Sequence, residues 1–405
     1  MTPKSYGVLS IPVIVGALGY FVDIYDLLLF GIIRKQSLLD LGLTPEQVTS
    51  VGENIISVQM AGLLIGGIIW GIMGDKRGRL SVLFGSIILY SLANIANGLV
   101  TNTTQYAWVR FIAGIGLAGE LGAGITLVSE LLSKEKRGIG TSLVAGIGLT
   151  GAVVAYFVSK QFDWRVCYYI GGGLGLLLLV LRVSVFESGM FEEVKKMDVV
   201  RGNFFMFFNN RSRFKKYTLS ILVGLPTWYV IGVLVSFSDQ FGKNMGIKED
   251  IFPGKAIMYA YAAISIGDIL IGLLSQWLRS RKKALYIFYA ITAIFIALFF
   301  LQDGGTDDQM YWICAGLGFG TGFWAIFVTM AAEQFGTNLR ATAATTVPNM
   351  VRGSLPLIIL LFKWLRGYVD YVTAGLITGI IVMTITVIAA AFTKETFGKD
   401  LKYVE

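Results

Sequence analysis

The chain has 405 residues, 55% of them hydrophobic and 15% charged, with a mean hydropathy of +0.68 and a net charge of +8. No soluble core of this size needs so much apolar side chain, so most of it is expected to face lipid, which excludes a soluble globular protein. The chain has no histidine, and its two cysteines, Cys167 and Cys314, sit in apolar context. That pattern suggests neither a disulfide framework nor a metal site, and it leaves carboxylates as the groups for any proton chemistry near neutral pH.

Apolar runs of spanning length recur from end to end. They predict an all-α polytopic membrane protein with helices at 10–33, 51–74, 79–99, 104–132, 137–160, 165–186, 217–240, 254–278, 284–301, 309–335, 339–365 and 370–392. The first run is too long for a signal-peptide core and lacks a small-residue cleavage site, so it is expected to be retained. With both termini cytoplasmic, the inner loops hold roughly 23 of the Lys and Arg against about 9 outside, which fits the positive-inside rule. The positive net charge is therefore assigned to topology rather than to nucleic acid.

The first helix reads "GYFVDIYDLLLFG". An ionisable residue at membrane depth costs roughly 2.5–3.5 kcal/mol and is a functional candidate by default. Asp23 and Asp26 stand three apart and share a helix face, which Tyr20 and Phe30 extend. Repulsion and desolvation would favour one proton shared between the two acids; the alternative is a structural pair bonded to backbone and water. After the second helix comes "GDKRGRL", a tight turn with charges able to bridge to a neighbour; it also suits an ordinary cytoplasmic turn. The fourth helix carries Arg110 and Glu120. Ten residues apart, they lie about 15 Å apart along the axis and about 80° around it, so both can face one broad cavity. The alternative is a close-packed helix with a neutral, hydrogen-bonded Glu120 among its glycines, but two intramembrane ionisable groups on one helix rarely serve packing alone, which favours function.

The one long hydrophilic stretch splits the chain into a first bundle, 1–186, a linker with an amphipathic segment, 187–216, and a second bundle with a short tail, 217–405. Within the linker, "RGNFFMFFNNRSRFKK" is expected on the inner membrane surface. Glu130 and Arg137 after the fourth helix match Glu333 and Arg340 after the tenth at an offset of 203 residues. The "GDKRGRL" turn has a worn counterpart in "SQWLRSRKKA", with Gln276 where Asp75 stands. Two matched loops indicate a duplicated six-helix unit, the plan of transporters whose halves rock around a midplane site. In the second half Asp268 and Arg352 are buried-charge candidates. Trp228, Tyr259, Tyr261 and Trp324 are candidate cavity walls, although Trp and Tyr also serve as interface anchors. Pro348 and Pro356 are expected to interrupt the eleventh helix.

Together the "GDKRGRL" loop and the repeat resemble the major facilitator superfamily. The fourth-helix string "RFIAGIGLAGELGAGITLVSE" is similar to that superfamily's fourth-helix motif, in which the arginine is tied to proton coupling; Arg110 occupies that place. Within the superfamily, "VDIYDLLLFG", "GLAGELG", "FESGMFEEVKK" and "KETFGKDLKY" resemble the metabolite:proton symporters, with Asp23, Tyr25, Asp26 and Gly31 at the matching positions and Gly189 where proline is usual. The resemblance implies a cytoplasmic gate built on Gly71, Asp75, Gly78 and Arg79, with Glu130, Arg137, Glu333 and Arg340 beside it. It also places Arg110 across a shared cavity from the acid pair.

The expected function is therefore import of a small polar metabolite, an organic anion or zwitterion, coupled to protons by alternating access. Asp23, Asp26, Glu120 and Arg110 would couple the proton. Tyr20, Tyr25, Arg110, Trp228, Asp268, Trp324 and Arg352 would meet the substrate. Competing readings are a proton-driven exporter of amphiphiles and a membrane sensor that binds without transport. An enzyme is not expected, for want of a nucleophile elbow or metal motif, and neither is a cofactor. One twelve-helix chain suffices for transport, so a functional monomer in a bacterial inner membrane is expected.

Overall fold

The computed structural model describes residues 7–182, 202–399 and 403–404, apart from the side chains at 49, 134, 135 and 137. Residues 187–201 of the linker and the Arg137 side chain therefore lie outside the described residues. Twelve helices are long and apolar enough to span a bilayer: α1 Ile11–Asp40, α2 Pro45–Arg77, α3 Arg79–Asn97, α4 Thr103–Leu131, α5 Gly138–Gln161, α6 Trp164–Leu181, α7 Arg211–Val235, α8 Pro253–Trp277, α9 Arg281–Phe300, α10 Asp307–Glu333, α11 Arg340–Leu365 and α12 Tyr371–Phe392. No strand occurs among the described residues.

Most boundaries fall within a few residues of expectation, and the larger departures have local causes. α1 runs on through Arg34 to Asp40, past the apolar run, because hydropathy marks where lipid ends and not where the helix does. α2 begins early, where Gln47 Oε1 accepts from the Thr44 N–H at 3.1 Å and satisfies an otherwise orphan donor. α7 begins at Arg211 because Asn210 Oδ1 caps the N–H groups of Ser212 (2.8 Å) and Arg213 (3.3 Å). It closes in a π-turn, Val230–Val235, just after Pro226.

Several helices break, and the breaks repeat. α4 is interrupted at Ala118–Gly119 and α10 at Thr321–Phe323; α5 pauses at Thr150 and α11 at Ser354. The first pair of breaks begins 203 residues apart, the same as Glu130 and Glu333, and the second pair lies 204 apart. Interrupted helices expose backbone groups at membrane depth, which is tolerated where they are buried in protein.

With lipid as apolar as the helix faces, packing between helices rests on close approach. α2 and α4 meet through glycines: a Cβ at Gly66 would stand 2.7 Å from the Ile115 Cα, and one at Gly114 would fall on the backbone of Gln59 and Leu63. α8 and α10 repeat this, with Gly322 against the Gly267 Cα. Across the two sets of six, α2 lies on α11, where a Cβ at Gly71 would come 3.1 Å from the Thr342 Cα, and α5 lies on α8 through Gly272 and Ser142.

The amphipathic segment divides its aromatic rings rather than lying wholly on a surface. Phe207 stacks on Tyr217 at 4.5 Å and meets Phe335 edge-on at 5.0 Å, while Phe205, Phe208 and Phe214 point outward. The tail also returns to the bundle. Glu395 accepts from Ser280 Oγ and from the N–H groups of Arg281 (3.0 Å) and Lys282 (3.2 Å), capping α9.

Gly114→Leu should force α2 and α4 apart at a cost of about 1–3 kcal/mol and lower the melting temperature of the purified protein. Gly124→Ala, where a Cβ would meet nothing within 4 Å, should leave it unchanged.

Candidate functional site

Asp23 and Asp26 are both fully buried, but they turn to different partners rather than to each other. Arg110 reaches across from α4: Nη1 donates to Asp26 Oδ1 at 2.8 Å, Nη2 to the Asp26 carbonyl at 3.0 Å, and Nε to Gln59 Oε1 at 3.3 Å. Gln59 is fixed in turn by donating to the Leu27 carbonyl at 3.2 Å. All three guanidinium nitrogens of Arg110 are thus engaged, and its face lies 5.5 Å from the Tyr168 ring. Removing one partner of such a pair leaves an uncompensated charge, at a cost of about 3–5 kcal/mol.

Glu120 opens the second segment of α4, directly after the break, and does not share the Asp26–Arg110 site. It pairs with Arg182, which donates through Nη1 at 2.9 Å to Glu120 Oε2 and through Nη2 to Oε1. Nη1 also donates to the Leu83 carbonyl at 2.8 Å. Both side chains fill the space beside Gly19 of α1, where a Cβ would displace them. Sequence reasoning assigned Arg182 no role. The available signal was a single arginine ending the apolar run "GLGLLLLVLR".

From the second set, Arg352 of α11 brings Nη2 within 4.0 Å of Asp23 Oδ2, so this contact joins the two sets of six. Arg352 also donates to Asn349 Oδ1 at 3.3 Å and lies 5.7 Å over the Trp324 ring. Tyr20, Trp228, Tyr261 and Trp324 wall a cavity with Arg352, of about 10 Å³, close to the room one water needs. Both Asp23 oxygens, the indole N–H groups of Trp228 and Trp324 and the Thr227 hydroxyl make no hydrogen bond among the described residues. Three other sequence candidates sit elsewhere. Tyr25 donates to the Cys167 carbonyl at 2.9 Å, Asp268 Oδ1 accepts from the Ala325 N–H at 2.9 Å where α10 resumes, and Tyr259 packs on Tyr311 and Trp312. These contacts hold helices together.

Two further cavities lead from the centre toward the end opposite the termini. One of about 30 Å³ shares Leu27 and Trp228 with the central cavity. It also shares Gly31 with a vestibule of about 270 Å³ formed by the α1–α2 and α7–α8 connections.

The end that carries the termini is shut. Asp75 lies at the N-terminus of α11, accepting from the N–H groups of Ala341 (3.1 Å) and Thr342 (2.7 Å) and from the Thr342 hydroxyl (2.6 Å). A helix N-terminus is a natural seat for an anion. The Thr342 hydroxyl also donates to the Gly71 carbonyl at 3.1 Å, and Gly78, with φ of 101°, makes the turn that brings Arg79 back. Arg79 donates to the Gly74 carbonyl (2.9 Å) and to Glu130 (2.8 Å), and Arg340 from the other set reaches the same Glu130 oxygen at 3.4 Å. Glu333 pairs with Arg281 at 3.0 Å and accepts from the Thr396 hydroxyl at 2.8 Å, repeating the Glu130–Arg79 arrangement. Gln276, matching Asp75, faces Gly138, and its Nε2 has no acceptor.

Comparison with known proteins agrees with this architecture. The family model described as Major Facilitator Superfamily matches residues 16–359. The niacin transporter NiaP of Acinetobacter baylyi is 25% identical over 96% of this chain and 94% of its own length. The 3-(3-hydroxy-phenyl)propionate transporter of Escherichia coli is 25% identical over 72% of each. The solved structure of the proton:xylose symporter XylE bound to 6-bromo-6-deoxy-D-glucose superposes with a TM-score of 0.75 over 97% of both chains at 16% identity, a likeness of fold. The chain belongs to the Major Facilitator Superfamily and is an integral membrane transporter, not an enzyme.

Proposed function

We propose that this transporter imports a small organic anion, an aromatic carboxylate, together with protons. Residues 1–186 and 217–405 would rock as two units, and a single chain in a bacterial inner membrane would suffice. The observation that carries the reading is the Asp23–Arg352 contact in an aromatic-walled cavity between those units. Asp23 and the substrate's carboxylate would compete for the single positive charge of Arg352. A proton on Asp23 releases the guanidinium, and the substrate's carboxylate takes its place in a site where exclusion of water strengthens the pairing. Trp228, Trp324, Tyr20 and Tyr261 offer faces for a planar ring, and the two indole N–H groups are available for its polar atoms. The similarity to transporters of niacin and of a hydroxyphenyl-propionate supports this substrate class.

Asp26–Arg110 is proposed as a second proton-sensitive pair, since its carboxylate leans on one cation that its protonation would free. Glu120–Arg182 is proposed as a third, further toward the termini. The distribution of Lys and Arg puts the termini end in the cytoplasm, so the Asp75–α11 contact would be the inner gate and the 270 Å³ vestibule would face outward.

In proteoliposomes, collapsing the pH gradient should abolish accumulation of nicotinate or benzoate; accumulation that survives would reject proton coupling. Asp23→Asn removes the competitor for Arg352, so exchange across the membrane should persist while gradient-driven accumulation is lost.

Asp75→Asn weakens charge-assisted hydrogen bonds worth about 1.5–3 kcal/mol each, and so should shift the balance toward the inward-open state by roughly tenfold or more. Labelling of Thr345→Cys by a membrane-impermeant maleimide from the cytoplasmic side reads this directly, the native Cys167 and Cys314 being buried.

A further inference from the structure

Seven arginines are buried among the described residues: Arg34, Arg79, Arg110, Arg182, Arg281, Arg340 and Arg352. Six of them stand within 4.0 Å of a carboxylate. Arg34 does not. It is only 6% exposed, its guanidinium donates no hydrogen bond to any described residue, and its Nε is enclosed without an acceptor. A buried cation without a counter-charge is costly, and the fold has made room for this one. A Cβ at Gly52 of α2 would stand 3.1 Å from the Arg34 Cγ, so only glycine lets the arginine stem pass. The Phe237 ring lies 5.4 Å from its guanidinium carbon.

Arg34 lines the 270 Å³ vestibule. Its acidic neighbours are Asp239 and Glu53. Glu53 is held by Lys363 in an ion pair; Asp239 accepts from Gln240 at 2.9 Å through Oδ2, while its Oδ1 is buried without a donor among the described residues, beyond ion-pair reach of Arg34. Lys35, Lys243 and Lys248 also line the vestibule, against Asp239, Glu249 and Asp250. Four cations therefore face three anions, and the most deeply set cation has no partner. Gly31, on the floor of this chamber, continues into the passage toward Trp228 and Arg352.

We propose that Arg34 makes the vestibule a second binding site for small monocarboxylates, an external collecting site that holds the anion before it reaches Arg352. The inference rests on the reading of the chain as an importer of organic anions. Arg34 lies about 12 Å along α1 from Asp26, two turns nearer the outer face. A carboxylate there neutralises the lone buried charge without disturbing the Asp23–Arg352 contact, so the two sites fill in succession. A basic, low-dielectric mouth also raises the local concentration of an anion.

The test uses the full chain in lipid nanodiscs and proteoliposomes, with benzoate and nicotinate as probes and nicotinamide as the uncharged control. Arg352→Gln should abolish transport yet leave carboxylate binding detectable by calorimetry, and adding Arg34→Gln should remove that binding. In transport, Arg34→Gln should raise KM for the carboxylates by about tenfold, acting on KM rather than on the maximal rate. Arg34→Lys, which keeps the charge and guards against a folding defect, should fall between. If Arg352→Gln alone removes all carboxylate binding while wild type still transports, the outer site is refuted and the importer reading stands. If Arg34-dependent binding persists but wild type transports no carboxylate, the importer reading fails and the site stands. A lower maximal rate at unchanged KM would make Arg34 part of an outer gate and overturn the proposal, as would a wild type that binds neither carboxylate.

Discussion

A charge taken out of water is costly unless an opposite charge meets it. Six of the seven buried arginines among the described residues are met by a carboxylate, a constraint that arranges the interior of the bundle. The helices are apolar on nearly every side, so hydrophobicity alone does not tell them how to rotate against one another. The arginine–carboxylate pairs do. Arg110 fixes α4 on α1 through Asp26, Arg182 fixes α6 on α4 through Glu120, and Arg352 draws α11 to α1 through Asp23. On the proposed reading each pair would have an alternative state in which the acid is protonated and the guanidinium takes another anion. Contacts that specify the fold are thus also places where it can change.

The two ends of the molecule use different physics. At the termini end a carboxylate sits on the backbone of a helix start, with Arg79, Glu130 and Arg340 in a row beside it. Such contacts are short and directional and are lost together when the helices part. At the opposite end the sets are separated by a chamber whose joining ion pair, Lys363–Glu53, has its lysine more than one-third exposed. Exposed pairs are worth about 0–1 kcal/mol. The strong latch and the weak one lie on opposite faces, so the structure is shut at the termini end and open to a vestibule at the other. Duplication supplied two copies of the latch region, but Gln276 in place of Asp75 left only one copy with a carboxylate to seat on the partner set.

Much of this was legible in the sequence and some was not, and the divide follows from geometry. Helix number, the duplication and the buried charges are local or periodic properties, so the run lengths and the 203-residue offset recovered them; the breaks of α4 and α10 repeat that offset, and those of α5 and α11 repeat it to within one residue. Asp26 with Arg110 was expected from the resemblance, and the structure brings them together. Partner choice was less legible. Spacing along α4 placed Arg110 and Glu120 on one broad face, yet the break at Gly119 lets Glu120 turn to Arg182 on α6. Asp23 and Asp26 share a face of α1, but different helices stand opposite each, so each meets its own arginine. Tyr25 and Asp268 carry the right chemistry for a cavity wall; rotation of their helices directs them to the Cys167 carbonyl and the Ala325 N–H.

Competition for Arg352 also accounts for why coupling would be tight on the proposed reading. With Asp23 ionised and no substrate, acid and guanidinium cancel, and the empty carrier can cross without an uncompensated buried charge. With Asp23 protonated and a carboxylate on Arg352, the charges cancel again. The two mixed states do not: a proton without substrate leaves a bare guanidinium, and substrate without a proton leaves two carboxylates facing one cation. Both would have to fit a cavity of about 10 Å³, too small to carry a hydration shell with them. Leak of either species alone is thus opposed by the desolvation that makes the pair form. No separate interlock is required, because the cavity's own charge balance selects which carriers can close.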